Sequence, residues 1–238
     1  MKQILKHIEK AITDKNKLLA VLIDPDKFIL SELDVFLKNI HKTIATHIFI
    51  GGSTVEANVT QQLVKALKQK TDLPLVLFPG DVTQISDAAD AILFLSLLSG
   101  RNSDYLIGKH VKSVPLLEKT DLEIISAGYI LIESGKETAV QRVTKTLPLS
   151  DKKIISQTAK AGEFLGMKLI YLEAGSGANY PVALDIITET KKRLQIPLIV
   201  GGGIRSLQQL ENAYIAGADL VVIGTAFEEN KQFFKELL

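Results

Sequence analysis

The feature that most constrains the fold is a rhythm running the length of the chain. Eight apolar, β-branched-rich runs recur: LLAVLID (18–24), HIFIGGS (47–53), PLVLFPG (74–80), AILFLSLL (91–98), EIISAGYILI (123–132), KLIYLEAG (168–175), PLIVGGG (197–203) and LVVIGTA (220–226). Each is hydrophobic almost without interruption, the mark of a strand covered on both faces, as in a parallel sheet. Segments with helical spacing separate them, among them NVTQQLVKALKQKT, ISQTAKAGEFLG, ALDIITETKKRL and LQQLENAYIAG. Several of these end in glycine or a basic residue, as helix C-termini do. Eight strands alternating with helices in 238 residues predict one single-domain (β/α)8 TIM barrel spanning residues 1–238. An open doubly wound sheet is the competing arrangement, and an unbroken run of eight favours closure. Only DVTQISDAAD lies between the third and fourth strands, so the third helix is expected to be shortened or missing. A long polar segment, ESGKETAVQRVTKTLPLSDKK, follows the fifth strand and is expected to elaborate the active face. No linker or low-complexity tract marks a second domain.

In such a barrel the functional groups gather at the C-terminal ends of the strands. Here those ends carry Asp24, Ser53, Gly80–Asp81, Ser96 and Ser99, Tyr129, Glu173 with Gly175 to Gly177, Gly201 to Gly203, and Gly224–Thr225. A phosphate in a barrel commonly sits on the loops after strands seven and eight, beside a helix N-terminus. GGGIRS and GTAF occupy those places, and EAGSG adds glycines and a hydroxyl after strand six. Glycine removes the Cβ that keeps a phosphate away from backbone N–H groups, and helix N-termini favour anions. A tight turn accounts for any one cluster; three at consecutive strand ends point to phosphate binding.

Three further strand-end residues have two readings each. Asp24 in LIDPDK is a hard oxygen ligand suited to Mg2+ that also touches substrate phosphates, or a turn cap before proline. Ser53 in GGST is a weaker candidate, because serine after glycines caps the next helix. Glu173, an acid ending an apolar strand beside the phosphate loops, can take a proton or hold a hydroxyl; the alternative is an ion pair with Arg205 or a lysine. His7, His41, His47 and His110 fall away from the strand ends and are assigned no catalytic role.

Composition narrows the function classes. A net charge of +1 argues against a nucleic-acid partner, which needs a basic face. The absence of cysteine excludes disulfides and thiolate metal sites. The most apolar stretch, AILFLSLLSG, is about half the ~20 residues of a membrane helix, so no membrane span is expected. MKQILKHIEKAITDKNK reads as an amphipathic helix rather than a targeting segment, and a cytoplasmic protein is expected.

LIDPDK, IFIGGS, FLSLLSGRNSDYLIG, SAGYILIE, YLEAGSG, GGGIRS and VIGTAFEE follow one another along almost the whole chain. Together they resemble the geranylgeranylglyceryl phosphate synthase family, related to bacterial heptaprenylglyceryl phosphate synthases. YLEAGSG is the most specific, while GGGI and IGTA are shared by many phosphate-binding barrels. LIDPDK lacks the lysine that the bacterial type places two residues before the aspartate, since Leu22 stands there, so the resemblance is to the archaeal type. It implies Mg2+-dependent transfer of a prenyl group, geranylgeranyl in the archaeal type, from a prenyl diphosphate to the sn-3 hydroxyl of sn-glycerol 1-phosphate. Asp24 and Ser53 would then hold the Mg2+. Tyr171, Leu172, Glu173, Ala174, Gly175, Ser176 and Gly177, with Gly202, Gly203, Gly224 and Thr225, would bind glycerol phosphate, and Glu173 would take the hydroxyl proton. The resemblance also implies a missing third helix and a homo-oligomer, to which Phe233 and Phe234 can contribute. Two other readings remain open: a phosphosugar isomerase or cyclase using the same cradle, and a non-catalytic phosphometabolite-binding barrel.

Overall fold

The computed structural model describes residues 3–224, 226 and 227. Eight parallel strands close into a barrel in sequence order, β8 pairing with β1. They are β1 Leu18–Ile23, β2 His47–Ile50, β3 Leu75–Leu77, β4 Ala91–Leu97, β5 Glu123–Leu131, β6 Leu169–Glu173, β7 Leu198–Gly201 and β8 Leu220–Ile223. All eight lie within the apolar runs of the sequence. Helices α1 Ile4–Thr13, α2 Leu33–Ile40, α3 Val59–Lys68, α4 Lys109–Leu117, α5 Ala139–Thr144, α6 Lys152–Phe164, α7 Leu184–Arg193 and α8 Leu207–Ala216 fill the intervals. The interval between β3 and β4 holds a single 3-10 turn, Val82–Gln84, as its brevity predicts.

Strand side chains alternate between two concentric cores. One lies between barrel and helices and includes Leu19, Val21, Ile48, Ile170, Leu172, Val200 and Val221. The other fills the barrel, with Ala20, Phe49, Val76, Leu93, Tyr129, Tyr171, Ile199 and Val222. Ile4 and Ile8 of α1 join the inner core and are at most 1% exposed, so α1 plugs one mouth of the barrel. Its first amides, on Ile4 and Leu5, donate to the carboxylate of Glu123 at the start of β5. That satisfies donors which every helix N-terminus leaves open. Asp90 and Asp219 serve the same end of the barrel. Asp90 accepts from the Leu75 amide at 2.9 Å and pairs with Lys68, and Asp219 accepts from the Leu198 amide at 2.7 Å and pairs with Lys191. With one mouth plugged, the strand C-terminal ends at the other mouth are left for a ligand.

The polar stretch after β5 is more ordered than its composition suggests. Ile132 bridges to Leu149 in parallel, so the segment leaves the barrel and returns to the same point. Between these lies α5, begun by a capping box in which Thr138 and Gln141 satisfy each other's amides.

Candidate active site

The open mouth holds a polar basin of about 430 Å3 and, beside it, an apolar pocket of about 130 Å3. Asp24, Gly52, Ser53, Glu173, Ser176, Gly202, Gly203 and Gly224 line the basin, along with Tyr129 and Tyr171 from the inner core. Leu93, Phe94, Leu95, Ile92, Ile85 and His110 line the apolar pocket. It occupies the side of the barrel where the 3-10 turn replaces a helix. Ser53, Phe78, Tyr129 and Val140 line both spaces and form their common wall.

Glu173 is the last residue of β6 and is 5% exposed. Its carboxylate accepts from the Gly175 amide at 2.6 Å, and no cation pairs with it among the described residues. The alternative of an ion pair with Arg205 fails, since that guanidinium donates to the Ala178 carbonyl at 2.8 Å. Burial raises the Glu173 pKa above the ordinary carboxylate range, against the lowering effects of the Tyr171 hydroxyl and the Gly175 amide. The Tyr171 hydroxyl faces that carboxylate without completing a hydrogen bond and has no other partner among the described residues. Burial, then the nearby Glu173 charge, pushes both Tyr129 and Tyr171 well above the usual phenol value, so both stay protonated. Their rings and Phe78 pack with centroids 5.2 to 5.9 Å apart, an aromatic floor beneath the carboxylate.

Glycine is required beside this carboxylate. Gly202 has φ +82°, and a Cβ there would lie 2.4 Å from Glu173 Oε1 and 2.6 Å from the Gly175 amide nitrogen. Gly203 has φ +72°, and a Cβ there would meet the Tyr180 carbonyl at 2.5 Å. The two glycines that follow β7 thus serve close packing and a left-handed backbone, which is the tight-turn reading of GGGIRS. Ser206 begins α8 just beyond, its hydroxyl accepting from Gln209 N.

Across the basin, Asp24 both caps a turn and faces the cavity. Oδ1 accepts from the Asp26 amide at 3.2 Å, and Oδ2 lies 3.2 Å from Lys27 Nζ. Its carboxylate also borders Gly52, where a Cβ would lie 3.0 Å away. Buried Gln84, from the 3-10 turn, fixes this loop: its Nε2 donates to the Gly52 carbonyl at 2.9 Å and its Oε1 accepts from the Gly80 amide at 3.2 Å. A carboxylate and a hydroxyl at a basin rim form a donor set that suits a hard cation sharing its shell with water and phosphate. No group of three His, Cys, Asp or Glu side chains able to cage a metal exists among the described residues.

The remaining sequence-predicted residues divide by face. Tyr171, Ser176 and Gly224 line the basin, whereas the side chains of Leu172 and Ala174 are wholly buried in the outer core. Gly175 (φ +100°) and Gly177 (φ +70°) shape the loop between β6 and α7. Thr225, Phe233 and Phe234 lie outside the described residues. Ser96 and Ser99 prove structural: one donates to the Leu106 carbonyl at 3.1 Å, the other accepts from the Leu131 amide at 3.0 Å. Sequence reasoning singled out neither Gln84 nor Lys136, Thr138 and Arg142, although the last three lie in the segment expected to elaborate the active face and do line the basin. His110, assigned no catalytic role, lies in α4 at the pocket wall, 3.3 Å from Ser96 Oγ, and burial lowers its pKa. The T-x-x-Q pattern at 138–141 was the one legible signal.

Known proteins share this architecture. A geranylgeranylglyceryl phosphate synthase of Flavobacterium johnsoniae is 58% identical, over 97% of this chain and 96% of its own. One from Pyrococcus furiosus is 41% identical, over 90% of this chain and 86% of its own. The crystal structure of (S)-3-O-geranylgeranylglyceryl phosphate synthase from Thermoplasma acidophilum, in complex with sn-glycerol-1-phosphate, superposes with a TM-score of 0.92 at 33% identity, covering 100% of this chain and 96% of that one. The PcrB family model matches residues 11–238, and the chain belongs to the PcrB family.

Proposed function

We propose that the protein is a prenyltransferase that joins a prenyl group, geranylgeranyl by the names of its relatives, from its diphosphate to the sn-3 hydroxyl of sn-glycerol 1-phosphate. The observation that carries this reading is the common wall between a glycine-lined polar basin and an apolar pocket. A small phosphorylated alcohol suits the first and an isoprenoid tail the second, so the hydroxyl and the allylic carbon meet at Ser53, Phe78 and Tyr129. Asp24 and Ser53 would hold a Mg2+ ion, which when bound neutralises charge on the leaving diphosphate.

The chain's own residues do the rest. Backbone amides around Gly175–Gly177 and Gly202–Gly203 hold the glycerol phosphate, fixing its sn-3 hydroxyl beside Glu173. The glycerol oxygen bonds to allylic C1 as the C1–O bond to diphosphate breaks, and the hydroxyl proton passes to a Glu173 oxygen. Burial makes Glu173 a stronger base than a solvated carboxylate, and the aromatic floor keeps water from the allylic cation. An isomerase or cyclase needs a carboxylate facing Glu173 from β5, where Tyr129 stands instead. Exposed Phe164 and Leu165, 80% and 76% accessible, support association into a homo-oligomer. No helix among the described residues is long and apolar enough to cross a membrane, which accords with a cytoplasmic enzyme acting on lipid precursors.

The test is an assay of the purified protein with Mg2+, geranylgeranyl diphosphate and each glycerol phosphate enantiomer. The 1-phosphate is the expected substrate; equal use of the 3-phosphate refutes the assignment. Glu173→Gln should keep glycerol phosphate binding and lose turnover by about 10²–10⁴-fold, whereas a merely binding barrel shows no turnover to lose.

A further inference from the structure

The glycine loops give the phosphate amides but no formal positive charge, and a phosphate dianion in a partly enclosed basin calls for one. Four cations border the basin: Lys27, Lys136, Arg142 and Arg205. Lys27 leans on Asp24, Arg142 lies 3.7 Å from Glu137, and Arg205 is bound to the Ala178 carbonyl. Lys136 alone among these has no ion pair or hydrogen bond among the described residues. Its Nζ lies 3.3 Å from where a Cβ on Gly177 would stand, directly against the EAGSG loop.

That placement is built rather than incidental. The strap carrying Lys136 is fastened to the EAGSG loop on both sides of the residue. Before it, Asn179 donates its backbone amide to the Ser134 carbonyl at 3.2 Å and its side-chain amide to the Gly135 carbonyl at 3.1 Å. Glu133 accepts from the Ser134 and Gly135 amides, and Gly135 takes φ +82° where a side chain would strike the Tyr180 ring. After it, Thr138 packs against Gly175 so closely that a Cβ there would lie 2.3 Å from Thr138 Cγ2, and the capping box holds Thr138 in place. The neighbouring carboxylate, Glu137, is turned to Arg142.

We infer that Lys136 is the cation of the glycerol phosphate site, contributed by the loop after β5 to a cradle otherwise made by the loops after β6 to β8. Its ammonium contacts the phosphate of the acceptor, not the diphosphate of the donor. Lys136 does not border the apolar pocket into which the donor's tail extends. This inference rests on the function proposed above.

Calorimetric titration with sn-glycerol 1-phosphate, without Mg2+ or prenyl diphosphate, tests it. Lys136→Met should weaken binding about tenfold or more and flatten its dependence on salt. Lys136→Arg should restore most of the affinity, and Lys153→Met on α6 should change nothing. In the steady-state assay the loss should appear in KM for glycerol phosphate, with KM for prenyl diphosphate unmoved. Lys136 is exposed, so its variants should unfold at the wild-type temperature. Wild-type affinity in Lys136→Met, or a loss confined to prenyl diphosphate, overturns this inference while sparing the function. A wild-type protein that binds no glycerol phosphate overturns both.

Discussion

Replacing Gly202 with alanine separates what a glycine does for the backbone from what it does for the site. Gly202 and Gly166 both have positive φ, +82° and +93°. An alanine in that region costs about 1–2 kcal/mol whatever surrounds it. Gly166, just past the end of α6, has nothing within 4 Å of an added Cβ, so Gly166→Ala incurs the backbone cost alone. At Gly202 the methyl would enter the hydrogen bond between Glu173 Oε1 and the Gly175 amide, itself 2.6 Å long. Relief requires the carboxylate to give up that charged bond, about 1.5–3 kcal/mol more. Gly166→Ala should therefore lower Tm by about 2–8 °C and Gly202→Ala by about 5–20 °C, at about 2–4 °C per kcal/mol for this size. Turnover should be unchanged in the first. In the second it should fall about 100-fold or more, since a displacement near 1 Å of a reacting group costs that much. Thermal unfolding and the prenyl transfer assay on both variants decide the matter. If Gly202→Ala loses no more stability than Gly166→Ala and still turns over, the close packing of Gly202 on Glu173 is not what shapes this site.

Two titrating groups carry further predictions. Because Glu173 has its pKa raised in the fold, the wild type loses stability as pH climbs through that raised value. Glu173→Gln should therefore unfold at a higher temperature than wild type at pH 8, the two converging below about pH 4; a Gln variant less stable at pH 8 refutes the burial argument. His47, at the start of β2, runs the other way: burial, with repulsion from His7, lowers its pKa to about 4. The unfolded chain then binds a proton the native state refuses, so about 3 kcal/mol of stability is lost as pH falls from about 6.5 to 4. His47→Gln should flatten that part of the stability–pH curve, and an unchanged slope would show that the histidine is not buried neutral.

Strand ends were legible because their signals are local. An apolar run buried on both faces announces itself without reference to any distant residue, and all eight strands fall inside such runs. Brevity alone revealed the missing helix between β3 and β4. The left-handed backbone of Gly175, Gly177, Gly202 and Gly203 is likewise written in residue type. Period-two alternation was also available, and applied to YLEA it would have turned Leu172 and Ala174 away from the basin; only the continuous motif kept them in the substrate set.

Local patterns in the chain were thus enough for the barrel, the face on which its chemistry sits and the presence of a carboxylate beside glycine loops. Tertiary structure decided what those groups are able to do. Whether Glu173 is paired or solitary depends on Arg205, which points to Ala178 instead. Its basicity comes from burial over Tyr129 and Tyr171, which pairing of the adjacent strands β5 and β6 sets side by side although 42 positions separate them in the chain. Gln84 reaches Gly52 across 32 positions, and Lys136 comes to Gly177 across 41. Charge, burial and proximity of this kind are properties of neighbours, and the neighbours of a barrel's mouth are drawn from the whole length of the chain.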